Sequence, residues 1–142
     1  MLFRSNDTIV ALATAPGPGA IAVFRISGAD CFDIGNRFLC TPQGGPVTLR
    51  DRKSHTCFLA AVMDDGLLDE ALVTVFHGPN SYTGENTLEI GCHGSAFIQH
   101  RMLDLCITSG ARLAEPGEFT LRAFLNGKMD LSQAEEIGRA HV

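Results

Sequence analysis

Four short stretches bring together residue types that can hold or polarise a ligand. Arg25 ends the apolar run IAVFRI just before Ser27-Gly28. A guanidinium there must leave the core or find a partner. It serves a structural ion pair, or it turns its fork to a carboxylate or polar ring edge of a ligand. Glu89 lies in NTLEIGC beyond the loop HGPNSYTGE, with Glu85 at the loop's end. In an alternating strand Leu88 and Ile90 share one face and Glu89 points to the other, as a solvated residue or as a pocket wall. Cys92-His93-Gly94-Ser95 has the order of a strand-to-helix turn, whose free N–H groups favour an anion; His93 itself suits a structural hydrogen bond or a catalytic one. The last stretch, PGEFTLRAFLNGKMDLSQAEE, concentrates Glu118, Arg122, Lys128, Asp130, Glu135 and Glu136. No second histidine stands at metal-ligand spacing on a helix face, so no metal is expected.

The elements that must position these residues are legible in outline. Asp7 to Ala13 and Ile21 to Ile26 read as strands flanking the turn-rich PGPG, and Ser27-Gly28 breaks the second. A helix is predicted from Asp30 to about Leu39, capped by Asp30 or Ser27. Thr41 to Pro46 is a loop. Strands follow near His55 to Met63 and Asp69 to Phe76, joined as an antiparallel hairpin by Asp64-Asp65-Gly66, and again at Asn86 to Cys92. Ser95 to Ser109 has helical spacing, with Ser95 as N-cap and Gly110 as stop. Arg112 to Ala114 suits a short last strand. Thr120 to Phe124 reads as helix, Asn126-Gly127 interrupts it, and Ser132-Gln133-Ala134-Glu135 reads as a capping box that opens another helix. The fold class is α+β, mostly antiparallel, with flanking helices.

A chain of 142 residues with a hydrophobic fraction of 45% can hold one core of its own. No apolar run approaches the ~20 residues of a membrane span. The N-terminus lacks the basic-then-apolar order of a signal peptide, so a cytoplasmic location is expected. The net charge of −5 disfavours a domain that holds nucleic acid unaided. The five cysteines are odd in number and form no C-x-x-C pair, and they read as buried thiols.

Three blocks, DTIVALATAPGPGAIAVFRISG, HGPNSYTGENTLEIGCHGS and PGEFTLRAFLNGKMDLSQAEE, resemble the N-terminal part of the tRNA modification GTPases known as TrmE or MnmE, in the same order and from Asp7 to about Ile137. The resemblance implies an N-terminal domain over 1–118, similar to the folate-binding domain of the glycine cleavage aminomethyltransferase. It also implies that 119–142 form a junction and the truncated start of a helical domain. That N-terminal domain would bind 5-formyltetrahydrofolate or 5,10-methylenetetrahydrofolate as one-carbon donor and form a homodimer. Carried over to this sequence, the folate contacts are Arg25, Glu89 and Lys128, with Glu118 and Arg122 as supporting residues nearby. No catalytic residue and no metal ligand is carried over. GTP, Mg and K belong to a GTP-binding domain outside this sequence. The family acts with a flavin- and NADH-dependent partner protein on carbon 5 of the wobble uridine of tRNA. This chain contains no G-x-x-x-x-G-K-[ST] loop and no C-terminal cysteine motif, so it is expected to be a non-catalytic fragment. Pro18 and Ala20 stand where the family pattern has an Arg and a Gly. A stand-alone aminomethyltransferase and a ligand-free dimerisation module are the alternatives. The closing GRAHV is expected to be truncated or vector-derived sequence.

Overall fold

The apolar residues of the central strands alternate, and this alternation decides which side of the sheet is covered. In a computed structural model, which describes residues 7–130 and 132–133, seven strands form one sheet. They are β1 (Ile9–Leu12), β2 (Ile21–Ser27), β3 (Leu39–Cys40), β4 (Thr56–Met63), β5 (Leu67–Phe76), β6 (Thr87–His93) and β7 (Arg112–Leu113). Their spatial order is β3-β4-β5-β6-β2-β1-β7. Every neighbouring pair is antiparallel except β1 and β7, which run parallel. The chain is α+β, as its sequence predicts.

One face of the sheet carries Ala22, Phe24 and Ile26 of β2, Leu88, Ile90 and Cys92 of β6, and Val73 and Val75 of β5, all buried. Helices α1 (Cys31–Asn36) and α2 (Ala96–Thr108) add Phe32, Ile34, Met102 and Cys106 to the same core. Ser95 caps α2 as expected, accepting from the Ile98 amide at 3.2 Å. The opposite face is left open. On it Arg25 stands directly across from Glu89, and Glu89 across from Thr74.

The predicted first helix is too long. After Asn36 the chain tightens through bonds from Arg37 to Ile34 and from Phe38 to Gly35. Leu39 then leaves the helix to pair with Val62 of β4. Helical propensity loses here to a buried strand position. Neither expected cap acts through its side chain: Asp30 makes no side-chain cap bond and the Ser27 hydroxyl is engaged elsewhere. The cysteines also need correction. Cys31, Cys92 and Cys106 are buried, but Cys40 is half-buried and Cys57 lies exposed on the open face of β4. Burial pushes the Cys92 thiol up to about 11 and the Cys106 thiol up to about 12.

The third helix, α3 (Glu118–Leu125), ends in a Schellman motif. The Lys128 amide bonds to the Ala123 carbonyl at 2.8 Å and the Gly127 amide to Phe124 at 3.0 Å, with Gly127 at φ +73°. Asn126-Gly127 therefore stops the helix as predicted and fixes where Lys128 begins. The next capping box is shifted by two residues. Asp130 Oδ1 accepts from the Gln133 amide at 2.8 Å while Gln133 Oε1 accepts from the Asp130 amide at 2.9 Å. Glu135, the far half of the predicted box, lies outside the described residues.

Candidate functional site

The open face becomes concave where β2, β5 and β6 meet the loop His77–Asn86. A cavity of about 430 Å³ is lined there by Arg25, His55, Phe76, Asn80, Ser81, Tyr82, Thr87, Glu89 and Lys128. Its size suits a small organic ligand. Arg25, Glu89 and Lys128, predicted from three distant stretches, thus stand around one space.

Strand register explains the floor. Because Arg25 and Glu89 are cross-strand neighbours, the guanidinium grips one carboxylate oxygen from two nitrogens. Nε lies 2.9 Å and Nη2 2.8 Å from Glu89 Oε2. Glu89 Oε1 accepts no hydrogen bond among the described residues and stays able to accept from a ligand. The Arg25 guanidinium also lies over the Tyr82 ring, 5.3 Å from its centroid. Arg25 is therefore neither a purely structural charge nor a free fork: Glu89 and Tyr82 hold it in place at the cavity.

The wall is the loop before β6. Its Gly78–Pro79 peptide is cis. Gly78 donates to Asn86 Oδ1 at 2.9 Å, and Ser81 Oγ donates to the Glu85 carbonyl. From α3 and its cap, Asn126 Nδ2 donates to the Thr83 carbonyl at 2.8 Å, and Lys128 Nζ to the Pro79 carbonyl at 3.0 Å. Gly84 is where these pieces meet. Its φ is +82°, and a Cβ would lie 2.9 Å from Asn126 Cβ and 3.4 Å from Lys128 Cγ. Both backbone and space demand glycine there. Lys128 has no carboxylate within 4.0 Å among the described residues. Arg25 and Glu89 offset each other, so the cavity carries one positive charge in excess.

Behind the wall runs a buried polar network that sequence reasoning saw only in part. Arg122 Nη1 reaches Glu85 at 3.1 Å and its Nη2 reaches Glu118 at 3.3 Å. Arg112 closes a two-nitrogen fork on Glu118 at 3.0 and 2.8 Å and reaches Asp7 at 2.9 Å. Ser27 Oγ donates to Glu85 at 2.8 Å, and Thr83 lies 2.6 Å from Ser27. Burial alone would push the Glu118 carboxyl up. The Arg112 fork, the Glu115 amide and the Arg122 charge outweigh it and hold the carboxyl below the usual range. The same fork raises the Arg112 guanidinium. Glu118 and Arg122 thus sit behind the cavity rather than among its lining residues.

In the Cys92–Ser95 turn, where the order suggests free N–H groups, two amides are already engaged, that of His93 by Asp69 at 2.9 Å and that of Gly94 by the first loop. The Gly94 amide is taken by the Ala20 carbonyl at 3.2 Å, and Gly19 returns a bond to the Gly94 carbonyl at 2.9 Å. Gln99 Nε2 spans the Gly17 and Gly94 carbonyls. The first loop, with Pro18 and Ala20, therefore lies against the start of α2. His93 is exposed and bonds Asp69 through Nδ1 at 2.8 Å. Burial opposes ionisation of Asp69, yet the His93 amide and ring and the Glu70 amide hold its carboxyl below the usual range. Among the described residues no group of three or more His, Cys, Asp or Glu could hold a metal ion. No helix among them is long and apolar enough to cross a membrane.

Residues 8–128 match the family model of the GTP-binding protein TrmE N-terminus. The chain belongs to that family. It is 55% identical over 134 residues to the tRNA modification GTPase MnmE of Flavobacterium johnsoniae, covering 94% of this chain and 28% of that relative. The MnmE of Porphyromonas gingivalis is 51% identical over 134 residues, with 94% and 28% covered. That of Symbiobacterium thermophilum is 49% identical over 134 residues, with 93% and 29% covered. The chain thus spans under a third of the length of these relatives, and it is similar to the front of each. Within this TrmE N-terminal sequence, Tyr82 and His55 join the site only in the structure, while Glu85, noted at the loop's end, turns to Ser27 and Arg122. Tyr82 left a signal, as the single tyrosine of the chain, set in the loop that precedes Glu89. His55 left none, because only the sheet brings it to Phe76.

Proposed function

We propose that this chain is the folate-binding, dimerising front module of a GTPase that modifies carbon 5 of the tRNA wobble uridine. The observation that carries the reading is the convergence of Arg25, Glu89 and Lys128 on one cavity. The chemistry fits a reduced folate. A pterin presents adjacent N–H donors, and Glu89 has an oxygen ready to accept while Arg25 holds the other. Lys128 supplies the unbalanced charge that an anionic glutamate tail requires. Tyr82 and Phe76 offer aromatic walls to flat rings. The bound species is 5-formyltetrahydrofolate or 5,10-methylenetetrahydrofolate, which brings the one-carbon unit; the fold would then be that of the glycine cleavage aminomethyltransferase's folate domain. The wider roles rest on family membership. GTP with Mg and K, the flavin-dependent partner, the tRNA substrate and the cytoplasmic location belong to the whole protein. The helical domain begins at 119 in this reading, with α3 as its first element leaning on the sheet.

Titration calorimetry with 5-formyltetrahydrofolate tests this. The wild-type chain binds, and Glu89→Ala binds at least tenfold more weakly. Absence of heat with wild type, or equal affinity in the variant, rejects the folate reading.

A second reading, dimerisation without ligand, draws on the open sheet face. Leu59 and Leu72 are cross-strand neighbours there and both are exposed. Gly91 lies between Leu72 and Val23 with nothing closer than 3.7 Å to the place of a Cβ. The fold does not itself demand a glycine at this position, whereas the close approach of a second surface would. Sedimentation showing a dimer alongside calorimetry showing no heat selects this reading.

A further inference from the structure

His55 lines the cavity, yet the backbone does not explain why it is a histidine. Its φ is +63°, a left-handed conformation that Asn and Asp tolerate equally well. The imidazole is instead held by side chains. Its ring stands edge-on to Phe76, at 87° and 5.0 Å between centroids. Ser54 Oγ lies 2.9 Å from His55 Nδ1 and accepts the His77 amide at 2.9 Å. With that amide on one lone pair of the oxygen, the serine hydrogen is available to Nδ1. A neutral ring whose Nδ1 accepts carries its proton on Nε2. His55 Nε2 makes no hydrogen bond among the described residues. Phe76 sets the ring angle, and in the tautomer whose Nδ1 accepts from Ser54 the other nitrogen is an N–H donor at the edge of a ligand-sized cavity.

Its position says which part of a ligand it meets. His55 donates its amide to Val75 beside Phe76, Phe76 pairs with Thr87, and Thr74 pairs with Glu89. His55 is therefore two strands across and one side-chain row along from Glu89, about 12 Å by sheet spacing. A folate with its pterin at Glu89 reaches that far with its benzoyl carbonyl and first glutamate carboxylate.

We infer that His55 is an additional ligand-contacting residue, whose Nε2–H donates to an oxygen of the benzoylglutamate arm. This rests on the folate reading above, and the test separates the two. Affinities for 5-formyltetrahydrofolate and for 6-methyltetrahydropterin, which lacks the arm, are measured on wild type and on His55→Gly, which keeps the left-handed backbone. The variant should lose about fivefold to tenfold for the folate and keep its affinity for the pterin. Unchanged folate affinity, or equal losses for both ligands, overturns the role of His55. If wild type binds no folate, the folate reading fails first. Nitrogen NMR of wild type gives a second measurement independent of any variant. The Nε2-protonated tautomer should be present, and its resonance should move on saturation with 5-formyltetrahydrofolate. An Nδ1-protonated ring or an unmoved resonance overturns the inference.

Discussion

A single glycine ties the cavity wall to its cation. Gly84→Ala must force a side chain into left-handed backbone and into contact with Asn126 and Lys128. The backbone strain alone costs about 1–2 kcal/mol. Thermal unfolding should report that loss, and if the cavity takes folate as proposed, folate affinity should fall further than stability does, because Lys128 is displaced. An alanine variant with wild-type affinity would separate Lys128 from the site. Arg25 and Glu89 teach the complementary lesson about what the sequence reveals. Each was recognisable as a charge at the end or on the outer face of an apolar strand. Their mutual pairing was not, because it depends on the β2–β6 register, and two strands read in isolation carry no register.

At the scale of elements, α3 is attached through buried charge as well as through apolar contact. Glu118 and Arg122, one turn apart, face inward and are buried, while Leu125 is exposed. Removing one member of such a buried pair is costly. Glu118→Gln should lower stability by about 3 kcal/mol in chemical denaturation. The carboxyl also sets a pH dependence. Its folded value lies below the ordinary 4.5, so its stabilisation is complete above that pH and disappears as pH falls through the folded value. Melting temperature measured against pH should therefore fall below about pH 4.5 in wild type and fall less steeply in Glu118→Gln. The helix itself was legible, since Asn126-Gly127 marks its end. The burial of its charged pair was not, since charged residues are ordinarily placed outside. Arg112, arriving from β7, and Glu85, arriving from the loop, are among the partners that make the inside acceptable to Glu118 and Arg122.

At the scale of the molecule, one face of the sheet is covered by helices and the other is open, and the cavity lies on the open side. If a second copy covers Leu59, Leu72 and Gly91, then Leu72→Lys should convert a dimer to a monomer in sedimentation. Its monomer stability should change by no more than about 0.5 kcal/mol, as for an exposed site. A dimer that survives the substitution places the interface elsewhere. The α+β class and most strands were readable from alternation and turn residues, as with Asp64-Asp65-Gly66. The short β7 is readable too, as Arg112 to Ala114, whereas β3 is not: it is a two-residue strand defined by its partner Val62. The first α-helix is shorter than its sequence predicts for that reason, since nothing local announces that Leu39 belongs to β3 beside β4.

The order in which the sheet is assembled has a consequence for synthesis. β1 is made first, but its outer neighbour β7 lies about a hundred residues later, and Asp7 waits as long for Arg112, |i−j| being 105. Lys128 comes later still. On the ribosome, six of the seven strands can emerge before the outer edge of β1 is covered and before the cavity gains its cation. A small molecule that needs Lys128 is then captured only after the sheet is already built. It would act as a seal on a finished nascent domain, not as a template for its folding.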